Sequence, residues 1–176
     1  MTETLDSFLS IWHYWMFPSF GIGIIGFFIL FNVRWGKPRN IKKSIRVGAI
    51  LLGQTFLTWF IASGLLWTIQ LQARKELKEF LCKNDFVLKI DGKEIDSENS
   101  KVIITELRTI DNIAAHHSHP TNKTDVQIIS DNETINLSLE KDSDIDSEYW
   151  VFWDKYNSTT LIEIGRIRTE KLKKGD

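Results

Sequence analysis

Three imidazoles crowd the segment AAHHSHP, at His116, His117 and His119, before Pro120 closes the run. Imidazole nitrogen suits zinc or copper, and the same ring can act as a general base. Adjacent side chains of an extended segment point to opposite sides, so at most two of the three share one metal unless the chain turns tightly. A further ligand would have to come from Asp111, Asp125 or Cys82, and nothing in the sequence places any of them beside the imidazoles. No serine or cysteine stands in a nucleophile motif. An exposed polar loop explains the cluster as well as a metal site does. The expectation is therefore no catalytic residue, metal or cofactor, with a metal-dependent hydrolase built on the histidine run 116–119 as the alternative.

A second set is DSDIDSE, where Asp142, Asp144, Asp146 and Glu148 occupy every other position. Calcium loops open this way because hard carboxylate oxygens gather at that spacing. The match then breaks, since the sixth position is Ser147 where a glycine is needed and the twelfth is Trp153, which cannot ligate. An EF-hand is excluded, and the default is a solvated acidic turn between two strands.

The aromatics Tyr149, Trp153 and Tyr156 are candidates for anchoring a protein partner, while Trp150 and Phe152 are assigned to core packing. Residues 74–176 hold 16 basic and 21 acidic side chains, a net of −5. That balance argues against nucleic acid, which needs a basic face. It favours a basic protein partner, or solubility beside an anionic membrane.

The elements that carry these residues follow from charge segregation. The 176 residues are 43% hydrophobic and 26% charged, which fits one modest domain plus something extra and rules out a collagen-like, disulfide-scaffold or wholly disordered chain. Residues 7–33 and 47–73 contain no Asp, Glu, Lys or Arg, and residues 34–46 contain six cations and no acid. A bilayer core about 30 Å thick takes roughly 20 apolar helical residues. Both uncharged stretches reach that length, and neither offers the polar face that a soluble helix requires. Two transmembrane helices, about 12–33 and 47–71, are expected, with Trp12, Tyr14, Trp15, Trp35 and Trp67 as interfacial anchors. Ahead of Pro18, the helical spacing of Leu5, Phe8, Leu9 and Trp12 suggests a short surface-lying helix.

Arg34, Lys37, Arg39, Lys42, Lys43 and Arg46 set the orientation, because cations in short loops stay cytoplasmic. Both termini are then expected on the extracytoplasmic side of a plasma (inner) membrane. Arg74, Lys75, Lys78 and Lys83 beyond the second span oppose this, four against six. Ser19, Gly23, Gly26, Ala49 and Gly53 permit close helix packing, within one hairpin or between copies as a homo-oligomer. The string GIGIIG at 21–26 is no dinucleotide motif, having no strand before it. The membrane-embedded polar residues are uncharged, which argues against an ion or proton path.

Beyond a juxtamembrane helix at 74–85 the periodicity turns from helical to alternating. Strands are expected at 86–90, 93–95, 102–107, 126–129, 134–139, 149–153 and 160–168, with tight turns at Asp91-Gly92 and Asp131-Asn132. Gly165 reads as a bulge, and the lone Cys82 has no intrachain disulfide partner.

The expected fold is a membrane α-helical hairpin over residues 1–73, followed by a small mainly antiparallel β (α+β) domain at 86–170 and a polar tail at 171–176. The expected role is non-enzymatic, with the lipid bilayer and another membrane or envelope protein as partners. It would serve as an accessory subunit of an envelope complex or as an immunity or exclusion-type self-protection factor. A structural spacer that oligomerises through its hairpin is a third reading.

Overall fold

A computed structural model describes residues 2–36, 40–82, 85–111, 117–131 and 133–172. The chain divides into two compact units, Met1–Trp67 and Thr68–Asp176.

The first unit is a helical hairpin. Helix α1 runs Thr2–Trp35 and α2 runs Ile41–Leu81, the latter opened by Asn40, whose side-chain oxygen accepts the Lys43 N–H at 3.1 Å. Both helices are long and apolar enough to cross a membrane. Where a separate surface helix was expected ahead of Pro18, α1 is one helix from Thr2, with Pro18 inside it.

Small residues hold the two helices together. Added Cβ atoms show how close the backbones come: one on Gly26 would lie 2.7 Å from the Leu52 nitrogen and 2.8 Å from the Gly48 oxygen, and one on Gly23 would strike Thr55. Gln54 and Thr55 close the contact, donating to the Ser19 carbonyl at 3.0 and 2.8 Å, while the Ser19 hydroxyl donates to Gln54 Oε1 at 3.1 Å. The large apolar side chains point the other way. Phe17 and Phe60 are 72% and 78% exposed, and Phe20, Phe28, Ile50 and Phe56 are exposed as well.

The second unit is a six-stranded antiparallel sheet of order β2-β1-β3-β4-β5-β6, with the end of α2 and two short helices. Its strands are β1 Val87–Ile90, β2 Lys93–Glu94, β3 Pro120–Ser130, β4 Glu133–Asp142, β5 Glu148–Trp153 and β6 Gly165–Arg168. The β1–β2 turn uses Asp91 and Gly92 at φ 48° and 78°, and Asp131 at φ 47° begins the β3–β4 turn, as the hairpin signals predict. Asn132 lies outside the described residues.

Registers Ile128↔Ile135, Leu137↔Trp153, Leu139↔Val151 and Tyr149↔Ile167 set one face of alternating positions inward. These residues are buried, and so are Ile69, Ala73, Leu77 and Leu81 of α2.

Two segments differ from expectation. Residues 102–107, read as a strand from their β-branched run, lie in helix α3, Ser97–Arg108. Asp96 caps it, accepting the Glu98 and Asn99 N–H groups at 3.1 and 2.9 Å, and Ser100, Ile103, Ile104 and Leu107 form its buried stripe. Residues 160–168 begin in helix α4, Asn157–Leu161, so only Gly165–Arg168 is strand. Gly165 marks a close backbone approach where a bulge was expected: a Cβ there would sit 2.7 Å from the Asp111 oxygen, and Asp111 bridges Arg166 across the edge of β6.

Candidate functional site

The densest constellation of charge lies on the outer side of β5 and β6. The pairings Trp150↔Arg166 and Glu148↔Arg168 place these four residues on the face opposite the core. Arg166 is nevertheless 1% exposed. Its Nη1 donates to Glu148 Oε1 at 3.0 Å, its Nε reaches both Glu163 oxygens at 3.3 Å, and Asp142 Oδ2 lies 3.9 Å from Nη1. The guanidinium stacks 3.7 Å from the centre of the Trp150 ring. Arg168 donates to the second Glu148 oxygen at 3.2 Å.

Asp142 locks the 142–148 turn to this cluster. It accepts the Asp144 and Ile145 N–H groups at 2.9 and 3.0 Å, the Ser118 hydroxyl at 2.6 Å and the Trp150 indole N–H at 2.8 Å. Burial pushes its pKa up, but these donors outweigh burial and hold the carboxyl well below the ordinary carboxylate range. Burial raises Glu163 above its ordinary value even against the pull of Arg166. Burial also opposes the charge on Arg166, yet Glu148 and Glu163 overcome it and raise its proton affinity. The cluster therefore stores fixed charge, and its chemistry is that of a clamp on the sheet edge.

A second constellation fastens the end of α2. Glu76 Oε2 accepts the Tyr156 hydroxyl at 2.6 Å and the Lys155 ammonium at 2.7 Å. Burial raises the Glu76 pKa, but the donors from Lys155 and Tyr156 prevail and leave it lowered. Gln70 donates to the Glu163 carbonyl at 2.8 Å, and Arg108 Nε donates to the Leu81 carbonyl at 2.8 Å, satisfying a helix end.

The outer face towards β1 is open. Lys89, Lys123, Gln127, Asn136, Ser138 and Phe152 line a shallow depression of about 450 Å³ there. Gln127 donates to Asn136 at 3.1 Å across β3 and β4.

The sequence candidates distribute as follows. His116 lies outside the described residues. His117 and His119 are exposed, and no group of three or more histidine, cysteine or acidic side chains is arranged to hold a metal among the described residues. In the acidic run, Asp142 and Glu148 turn inward to Arg166, while Asp146 pairs with Lys141 at 2.7 Å and Asp144 accepts from Ser143 at 2.9 Å. The solvated turn is thus half buried in character.

Tyr149, Trp153 and Tyr156 are 2%, 4% and 2% exposed, so the exposure on which their partner-binding assignment rested is absent. They lie on the packed side, and the half-buried Trp150 and Phe152 stand on the outer one. Tyr14, Trp15, Trp35 and Trp67 are exposed, whereas Trp12 is half-buried and donates to the Thr58 carbonyl at 3.3 Å. Arg34, Lys42, Lys43 and Arg46 are exposed; Lys37 and Arg39 lie outside the described residues.

Sequence reasoning missed Arg166 and its carboxylates as one unit. The available signal was GRIR, a strand with cations at alternate positions, following the acidic run 142–148. No protein-family model, curated protein or solved structure matches this chain.

Proposed function

We propose that this chain is a two-span protein of the plasma (inner) membrane that presents its β-rich domain on the extracytoplasmic side to bind another protein, without catalysis of its own. The observation that carries the reading is the inverted arrangement of the hairpin. Glycine, serine, threonine and glutamine lie between α1 and α2, and the phenylalanines and isoleucines face outward. In water that arrangement would leave a large apolar surface uncovered. In lipid it is favourable, because tails solvate the large side chains while small residues let backbones meet and side-chain amides bond across helices.

The six cations of the 34–46 connection support the orientation. Within the domain, the buried clamp and the satisfied end of α2 support a rigid module, and the open face around Lys89, Gln127, Asn136 and Phe152 replaces Tyr149, Trp153 and Tyr156 as the surface a partner would meet. An accessory subunit of an envelope complex and a self-protection factor use such a module in the same way.

The test is crosslinking from that face. A photoreactive residue at Gln127 should trap a specific membrane or secreted protein in cells, and the same probe at the buried Val126 should not. Identical, nonspecific adducts from both positions would refute the binding role.

A further inference from the structure

Trp150 and Phe152 are neighbours on the outer face of β5, and only the first is covered by a cation. The Arg166 guanidinium lies 3.7 Å from the centre of the Trp150 ring, with Glu148 Oε1 accepting from its Nη1 at 3.0 Å. Phe152 has no cation over its ring among the described residues. Val151 pairs with Gly165, where β6 begins, so the sheet ends beside Phe152 and no second arginine of β6 reaches it.

The rest of the setting is in place. Ser138 lies directly opposite Phe152, Glu140 is its diagonal neighbour on β4, and Asp154 follows two residues on. All four line the depression of about 450 Å³ on this face. Glu140 and Asp154 make no hydrogen bond or ion pair with any described residue. The Ser138 hydroxyl oxygen is buried and likewise has no hydrogen-bond partner among the described residues. A buried group left unbonded costs stability, and a donor in the depression relieves that cost.

Charge selects the occupant. With neighbouring strands about 4.8 Å apart, Lys123 on β3 starts about 10 Å and Lys89 on β1 about 14 Å from β5. Lys123 is also engaged with Asp125 at 3.0 Å. Arg166, on the other side, is matched by Glu148 and Glu163. Glu140 and Asp154 are therefore the unmatched charges beside the ring, and they call for a cation. A guanidinium suits the place better than an ammonium, because its plane stacks on an aromatic face while its N–H groups reach carboxylates at the edge.

We propose that this depression seats an arginine side chain of the partner protein, stacked on Phe152 and bonded to Glu140 and Asp154. The seat deepens the binding role proposed above and rests on it.

Nuclear magnetic resonance of the full chain in neutral-detergent micelles tests the seat with defined probes. These are the capped tripeptide Gly-Arg-Gly and its counterparts with lysine or citrulline, the latter keeping the shape of arginine without its charge. The arginine peptide should shift the amides of Ser138 and Phe152 saturably, the lysine peptide should bind about threefold more weakly, and the citrulline peptide should produce no saturable shift. Glu140→Gln and Phe152→Leu should each weaken the arginine peptide about three- to fivefold. If Phe152→Leu does not fold, the double variant Glu140→Gln, Asp154→Asn decides the matter. Equal binding of the arginine and citrulline peptides, or wild-type affinity in the variants, would overturn the seat.

Crosslinking from Gln127 in cells separates the two levels. Glu140→Lys should abolish the adduct that the otherwise unaltered chain gives. An adduct that survives Glu140→Lys leaves the binding role standing and overturns the arginine seat, whereas the absence of any specific adduct without that substitution defeats the binding role itself.

Discussion

Arg166 Nη1 lies 3.0 Å from Glu148 Oε1, and the two side chains are 1% and 0% exposed. The pair sits on the outer face of the sheet, where the 142–148 turn, Trp150 and Glu163 enclose it. Such a pair contributes little over an apolar substitute, but removing one member leaves the other charged and buried. Arg166→Ala should therefore cost about 3–5 kcal/mol. Arg168→Ala, whose side chain is 61% exposed against the same Glu148, should cost about 1 kcal/mol or less. Thermal unfolding of the full chain in micelles compares the two.

Acid should act through Asp142. Its folded-state pKa lies below the ordinary 3.8, so its ionised form contributes stability that is fully present above about pH 4 and is lost as pH falls towards the folded value. Asp142→Asn should lower stability at pH 7 by about 2–3 kcal/mol, the scale of hydrogen bonds to a charged group. The difference between native chain and variant should shrink as the buffer drops below pH 4. Glu163 works oppositely: its raised pKa means that stability is greatest with the proton bound and declines as pH rises through the folded value.

How much could be read from residues alone depended on the range of the interactions. The two long apolar helices and the two hairpins were legible, because charge-free length and Asp-Gly or Asp-Asn turns are local signals. Helix α3 was misread because Val102, Ile103, Ile104 and Thr105 favour strands by propensity, and the Asp96 cap together with the spacing of Ser100, Ile103, Ile104 and Leu107 outweighed that preference. The Arg166 cluster was illegible since it joins residues from four segments, 118, 142–150, 163 and 166–168, whose adjacency is set only by sheet register. The inward turn of Tyr149 and Trp153 had the same cause. Alternation separated them from Trp150 and Phe152, but only the position of the helices decided which set was buried.

Close packing in the hairpin makes a glycine-specific prediction. Gly26→Ala places a methyl against the Gly48 carbonyl and the Leu52 nitrogen, while Gly21→Ala on the same helix meets nothing within 4 Å. The first should destabilise the hairpin by about 1–3 kcal/mol, and the second should be neutral or slightly stabilising. Resonance energy transfer between labels on α1 and α2, followed through denaturant, reads the difference.

The fastening of α2 predicts an effect of one hydroxyl. Tyr156→Phe removes the 2.6 Å donor to Glu76 but keeps the ring against Trp153. The loss should be about 1.5–3 kcal/mol, and the Glu76 pKa should rise because a donor that favours its ionised form has gone. Carboxylate titration by isotope-edited infrared spectroscopy resolves the shift.

The account as a whole depends on the side of the membrane that the sheet domain occupies. A phosphatase reporter that matures only outside the cytoplasm, fused after residue 176 of the full chain, decides it. The account predicts high phosphatase activity, and low activity when the same reporter is inserted at residue 40 in the basic connection. An inactive reporter after residue 176 on a stably expressed, membrane-associated fusion would contradict it.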